Sequence, residues 1–422
     1  MIRVITYGTY DLLHYGHIKL LERAKALGDY LIVGITSDDY DKTRGKINNQ
    51  QTLMERIAAV EATGLADEIV VEEYEGQKID DIRRLNIDIF TVGSDWKGHF
   101  DYLNEYCKVV YLPRTEGISS SEIRAEKRKI KFSIIGDLSV KKKFAKELQY
   151  VNGAELVKSV KDADAVYVAS LPQKHYEDVK DMLLTGKHVI CESPISIKTD
   201  QCRELIKIAK NKNLILADAI KTAYATAYSR LLGVAKSGRI GDIVSIDVTC
   251  TSLSDGADET NADLSSKQNS ICAWGPTALL PVFQLLGTKY RNVNIYSKIV
   301  DDKLMFDGFT KIDFLYDHSV ATVKVAKTAK SEGELIISGT KGYIYVPAPW
   351  WKTDYFEVRY ENQTDNKRYF YQLDGEGIRY ELVVFLKSMS TKKDNAYITY
   401  EVSNAICEII EKFYNRDIIE IK

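Results

Sequence analysis

The chain has 422 residues, 28% charged and 45% apolar, with 58 Lys plus Arg against 60 Asp plus Glu. That is ordinary globular composition with material for two or three domains. The near-zero net charge excludes a broad basic face for nucleic acid or an anionic membrane, so a phosphate-bearing substrate needs a local basic site. The six cysteines (Cys107, Cys191, Cys202, Cys250, Cys272, Cys407) include no CxxC pair, which argues against a zinc site or a disulfide framework. The opening MIRVITYGTYDLL lacks the pattern of a secretory leader, and no run of ~18 apolar residues occurs. The expectation is a cytoplasmic enzyme with no membrane insertion and no nucleic-acid partner.

In chain order, IRVITY over 2–7 is β-branched and apolar and reads as a buried strand ending at Gly8. HIKLLERAKAL over 17–27 has helical spacing and stops at Gly28; YLIVGI over 30–35 is the next strand. Helices over 55–62 and 79–85 then alternate with strands at 68–71, 87–92 and 107–112, the signature of a parallel, doubly wound sheet. A charged helix or linker over 122–130 leads to a second alternation. There the strand IKFSIIG precedes a helix at 139–149, a strand at 164–170, a helix at 175–185, HVICES at 188–193, a helix at 199–211 and LILADA. Beyond about residue 240 the pattern becomes period-two strands (IVSIDVTCT, VNIYSKIV, TKIDFLYD, SVATVKVA, GELIISGT, GYIYVPA), predicting a larger, mostly antiparallel sheet. The polar stretch 251–270 reads as a loop, and a last helix over 399–415 closes the chain. The predicted class is α/β: a Rossmann-like domain over 1–129, a shortened Rossmann domain over 130–220 and an α+β open-sheet domain over 221–422.

The chemistry-bearing string is His14-Tyr15-Gly16-His17, placed where the first strand hands over to the first helix. A helix N-terminus carries partial positive charge and unpaired N–H groups, and so holds phosphate. Two histidines spaced three apart there face one side and can donate hydrogen bonds to triphosphate oxygens as charge builds; Gly16 allows close backbone approach. Loss of one such donor typically costs ~10²–10³ in rate. The chain holds six histidines in all, so two at this junction point to a nucleotide site.

Three strings, GTYDLLHYGHIKLLERAKALGDYLIVGI, VGSDWKGHFDYL and VVYLPRTEGISSSEI, together resemble the glycerol-3-phosphate cytidylyltransferase family over residues 1–128. The resemblance implies CTP and a small polyol phosphate as substrates, CDP-glycerol or a related CDP-polyol as product, and Mg2+ accompanying CTP. It also implies a place in the synthesis of cell-surface polysaccharide. By the same resemblance Thr9, Tyr10, His14 and His17 hold the triphosphate, and Asp95 and Trp96 line the nucleotide pocket with Trp96 as a stacking surface. Arg114 and Thr115 bind phosphates, with Ser119 and Ser120 opening the last helix. Thr43-Arg44-Gly45-Lys46 stands where the family has a Lys-Gly-Lys-like stretch, leaving Arg44 and Lys46 as its cations. Gly64 replaces a family arginine, which leaves the acceptor open.

Residues 130–422 resemble the Gfo/Idh/MocA oxidoreductase family through DADAVYVASLPQKHYEDVKDMLLTGKHVICESPIS, AKSGRIGDIVSID and ISGTKGYIYVPAPWW. The resemblance implies NAD(P), with Gly136, Pro172, His175 and Glu192 at family cofactor positions, and a homo-oligomer is expected. The residues depart from the pattern. A dinucleotide fingerprint asks for G-x-G-x-x-G, but Gly136 is followed by Asp137-Leu138-Ser139. One strand–helix unit, the one that normally carries the acidic ribose ligand, is missing from the pattern. Ser193 replaces the family's lysine, and Ala273-Trp274-Gly275-Pro276-Thr277 lacks its acid and histidine. Either hydride transfer has been lost, or this half reduces a sugar phosphate to the polyol phosphate that the first domain activates.

Overall fold

The computed structural model describes all residues except 44, 45, 47, 48, 114–128, 254–263, 372, 374, 393 and 395. It divides into two compact units, Met1–Arg128 and Lys129–Lys422. The expected helix or linker over 122–130 falls almost wholly outside the described residues.

In the first unit β1 (Arg3–Gly8), α1 (Tyr15–Lys25), β2 (Tyr30–Thr36), α2 (Asp38–Thr43), α3 (Leu53–Glu61) and β3 (Glu68–Glu72) wind one way. Then α4 (Gln77–Arg84), β4 (Ile89–Gly93) and β5 (Lys108–Leu112) wind the other way, giving a parallel sheet of order β3-β2-β1-β4-β5. Both faces are covered, so the central strands are continuous apolar runs. Val4, Leu31, Val33 and Ile35 pack under α1 and α3 through Leu21, Ala24 and Val60. Ile5, Ile32 and Phe90 pack under α4 through Ile82. Thr52 starts α3 with a capping box, in which Glu55 N donates to its hydroxyl and Thr52 N donates to the Glu55 carboxylate at 2.7 Å. A cap of this kind is worth ~1 kcal/mol. The reversal of winding falls between β1 and β4, and a crevice at the carboxyl ends there is where doubly wound sheets take ligands.

The second unit begins with a five-stranded parallel sheet of order β10-β9-β8-β6-β7. Its elements are β6 (Ile130–Gly136), α5 (Leu138–Leu148), β7 (Ala154–Leu156), β8 (Ala165–Ala169), α6 (Pro172–Leu184), β9 (His188–Glu192), α7 (Thr199–Asn211) and β10 (Leu216–Ala219). The strand thought lost from the second alternation is present as the three-residue edge β7. The crossover after it has shrunk to a single 3₁₀ turn, Val160–Asp162, too short to show helical periodicity in the sequence. After α8 (Thr226–Lys236) and β11 (Ile243–Thr251) comes α9 (Ser270–Leu286), followed by β12 (Asn292–Asp301), β13 (Phe306–Leu315), β14 (Val320–Ala326), β15 (Leu335–Gly339), β16 (Tyr343–Val346), β17 (Tyr355–Arg359) and β18 (Lys367–Phe370). The chain ends in α10 (Ile378–Thr391), α11 (Tyr400–Tyr414) and β19 (Ile419–Glu420).

The large sheet has nine strands in the order β18-β17-β16-β15-β11-β14-β13-β12-β19. It is mixed, because β11 runs parallel to β14 and β12 parallel to β19. Its alternating residues Ile246, Val248, Ile312, Val323 and Val325 are buried, as are most of the residues of α9. All six cysteines are free thiols. Among the described residues no helix is long and apolar enough to cross a membrane.

Candidate active site

The six-residue link between β1 and α1 determines where the histidines point. Tyr10 and Leu12 take left-handed backbone conformations, φ 53° and 50°, that turn the chain sharply off the strand. His14 then caps α1: its Nδ1 accepts the Gly16 N–H at 3.1 Å. That bond fixes the tautomer by elimination, leaving the His14 proton on Nε2. The His17 ring stacks on His14 with centroids 3.9 Å apart and 24° between planes, while Tyr10 meets His17 edge-on at 5.5 Å. Burial, then the neighbouring imidazole, lowers the His17 pKa to about 3, so the ring is neutral at physiological pH. The motif thus presents His14 and the neutral imidazole of His17 beside the N–H groups of a helix start, an arrangement suited to an oligophosphate.

Below this link the tertiary structure assembles polar groups that sequence reading did not single out. The guanidinium of Arg56, fully buried, donates to the Thr9 carbonyl at 2.7 Å and the Thr36 carbonyl at 2.8 Å, and pairs with Asp38. It ties the carboxyl ends of β1 and β2 together. Asp11 accepts the N–H groups of Gln50 and Gln51 at 3.0 and 2.9 Å, anchoring the returning loop against the histidine link. Thr9 donates to Asp41 at 3.1 Å and accepts from Lys46 at 3.3 Å; burial pushes the Asp41 carboxyl above its usual range.

Across the sheet ends lies a cleft whose described walls include Gly8, Thr36, Glu72, Val92, Lys46, Lys78 and Trp96. Lys78 is nearly buried, paired with Glu72, and its ammonium stands 4.8 Å from the Tyr7 ring centroid. Tyr7 donates to Asp81 at 2.8 Å; burial foremost, and Asp81 next, raise its hydroxyl well above the ordinary range.

The sequence-expected residues divide as follows. His14, His17 and Gly16 come together at the helix start, Thr9 sits beside them, and Lys46 and Trp96 line the cleft. Trp96 is 39% exposed and tilts against His99 and Phe100. Asp95 lies exposed on the same short 3₁₀ turn, Ser94–Trp96, after β4. Tyr10 is 1% exposed and packed in the core, so its ring positions His17 and only its backbone faces the link. Arg44, Arg114, Thr115, Ser119 and Ser120 lie outside the described residues. Among the described residues no cluster of His, Cys, Asp and Glu could hold a metal ion by itself.

In the second unit the residues at the family's cofactor positions depart from the dinucleotide fingerprint. Gly136 has φ +105°, and a Cβ there would lie 2.1 Å from the Ala169 carbonyl carbon, so the glycine serves the contact of β6 with β8. Asp137 places its carboxylate on the Val140 N–H at 3.1 Å, occupying the start of α5 where a pyrophosphate would need those donors. Pro172 opens α6 and is buried. His175 is fully buried with Nδ1 2.7 Å from the Pro194 carbonyl and Nε2 2.8 Å from that of Ser170, so both ring nitrogens face backbone and the one N–H of a neutral ring can bond only one of them. Glu192 accepts from the Tyr167 hydroxyl, and burial raises its carboxyl. Ser193, in the lysine's place, has a buried hydroxyl beside the buried Asp218 carboxylate.

A doubly wound sheet that ends in a helix-capping HxGH pair is the site of a nucleotidyltransferase. Comparison with known proteins agrees. The cytidylyltransferase-like family model matches residues 5–126, and a model of the oxidoreductase family with an NAD-binding Rossmann fold (Gfo/Idh/MocA) matches 125–219. Glycerol-3-phosphate cytidylyltransferase of Bacillus spizizenii is 51% identical over 126 residues, 30% of this chain and 97% of its own length. The Staphylococcus aureus protein of that name is 47% identical over 126 residues, 30% of this chain and 95% of its own. Through its first unit the chain therefore belongs to the glycerol-3-phosphate cytidylyltransferase family. For the remainder, a 3-ketoreductase from Actinomadura kijaniata, solved with NADP and TDP-benzene, superposes with a TM-score of 0.60 at 13% identity, covering 70% of this chain and 99% of its own. An Agrobacterium radiobacter oxidoreductase solved with NAD+, L-tartaric acid and magnesium gives 0.55 at 15%, over 68% and 96%. At that identity the likeness shows the fold alone.

Proposed function

We propose that the first unit transfers CMP from CTP to a small polyol phosphate such as glycerol 3-phosphate, releasing pyrophosphate. The observation that carries this reading is the stacked His14–His17 pair at the start of α1, with His14 Nδ1 committed to Gly16. On this reading its Nε2–H donates to phosphate oxygens. The acceptor's phosphate oxygen attacks the α-phosphorus of CTP, the bond from that phosphorus to the bridging oxygen breaks, and pyrophosphate leaves with the electron pair. The acceptor is already ionised, so no strong base is required. Positioning and neutralisation of developing charge do most of the work. Lys46 and Lys78 supply positive charge in the cleft, Trp96 a platform for cytosine, and Arg114, Thr115, Ser119 and Ser120 further phosphate contacts. Mg2+, arriving with the triphosphate, would neutralise part of its charge.

A pyrophosphate-release assay with CTP and a panel of glycerol, tetritol and pentitol phosphates tests the reading. Turnover with at least one acceptor, reduced ~10²-fold or more by His14→Ala, is expected. Normal turnover in that variant would remove the site. For the second unit the reading is an oxidoreductase fold without hydride transfer. It is supported by Asp137 at the helix start, Ser193 in place of lysine, and Ala273 and Thr277 where the family's acid and histidine belong.

A further inference from the structure

In the second unit one carboxylate gathers cations from distant parts of the chain. Glu376 accepts from Lys221 at 2.5 Å, from Lys352 at 2.6 Å and from Lys143 at 3.1 Å. Lys143 lies on α5, just past the carboxyl end of β6, and Lys221 follows the carboxyl end of β10. Both act electrostatically on Glu192 at the end of β9. The three ammonium groups therefore meet over the carboxyl edge of the parallel sheet, the face on which such sheets receive ligands.

Their anion is delivered by an unusual turn. Gly375, Glu376 and Gly377 all have positive φ, 57°, 54° and 95°, and the turn ends where α10 begins. For a glutamate this backbone is unfavourable and persists only where its surroundings hold it. What holds it is the cation set. Burial pushes the Glu376 carboxyl up, and the hydrogen bonds from Lys221 and Lys352 outweigh that and hold it well below the usual range. Gly377 sits so close to the Lys221 carbonyl that a Cβ would lie 2.5 Å from it, so the turn is seated directly on the strand end that carries a cation. Glu376 is the carboxylate that pairs with all three ammonium groups, and a dianion in its place would offer them more charge.

We propose that Lys143, Lys221 and Lys352 form a binding site for a small phosphomonoester, and that Glu376 is its built-in competitor, which swings out on its glycine-flanked turn when the ligand enters. The site is built from second-unit residues and does not depend on the function proposed for the first unit. Filled by its own glutamate, the cradle binds phosphate weakly, and an incoming phosphoryl group takes over the three ammonium contacts.

The test is calorimetric titration of the full-length chain with inorganic phosphate, with glycerol 3-phosphate, and with malate as a carboxylate control. Glu376→Gln removes the competitor's charge and should tighten the phosphate and phosphomonoester binding by about tenfold or more. Lys221→Met added to that variant should abolish the gain, while pyrophosphate release from CTP is unchanged. Should Glu376→Gln prove too unstable to purify, Lys143→Met, at a side chain 60% exposed, serves instead. It should weaken whatever phosphate binding persists outside the first unit. Glu376→Gln that lowers the melting point without gaining phosphate affinity would show a structural ion-pair hub and overturn the proposal. So would Lys143→Met with unaltered binding, or a gain seen with malate and absent with phosphate.

Discussion

Acid should destabilise the first unit through His17 in particular. Its ring is held between His14 and Tyr10, and its Nδ1 is buried without a hydrogen-bond partner. Burial foremost, and then His14, take its pKa from 6.5 to about 3. Between those two values the unfolded chain binds a proton that the folded chain refuses. Stability is therefore complete above pH 6.5, declines as pH falls through the window and reaches its floor below pH 3. At 1.36 kcal/mol per pH unit, lowering pH from 7 to 4.5 should cost up to ~2–3 kcal/mol from this group alone. Urea midpoints followed by fluorescence of Trp96, the only tryptophan before residue 129, measure it. The informative quantity is the difference between wild type and His17→Asn, in which other titrations cancel. The wild-type curve should fall more steeply with acid, and His17 should show no NMR titration between pH 5 and 8. Parallel stability curves, or a titration midpoint near 6.5, would refute the reasoning.

Other outcomes follow from the same packing. Glu72→Gln and Lys78→Gln should each destabilise by ~3 kcal/mol, because each strands a nearly buried charge, and the double variant should lose clearly less than the two together. Additive losses in urea unfolding would mean the pair is not coupled. Gly136→Ala should cost the second unit ~3 kcal/mol or more, since the new Cβ meets the Ala169 backbone and φ is +105°; an unchanged melting transition would contradict that contact. NADPH at millimolar concentration should leave both its own and the protein's fluorescence unchanged. Saturable binding would revive a reductase role for the second unit.

How much of this could be read in the sequence follows from how local each feature is. The alternation of strands and helices through 2–112 and 130–219 is a short-range property of apolar spacing, and the structure reproduces it to within a few residues. The site's leading pair was equally local, since HxGH brings both imidazoles to one helix start within a single turn. Helix α9 showed only through the family alignment of residues 273–277 and not through its own periodicity, because Pro276 and Pro281 interrupt it. Burial of its surface against the large sheet outweighs the lost backbone bonds, a decision made by packing alone. Strands β17 to β19 are short, and β18 is largely exposed, so their periodicity was too weak to read.

What the sequence determined by itself was reaction class and strand–helix rhythm, because strand order and helix starts depend on neighbours a few residues apart. Tertiary structure alone could join Arg56 to the ends of two strands, bury Lys78 beside Glu72, turn His175 into a bolt between two backbone carbonyls and gather Lys143, Lys221 and Lys352 around Glu376. Those partners are separated by up to 233 residues. Charge compensation and burial act through space, and a string of letters does not say which distant charges will meet.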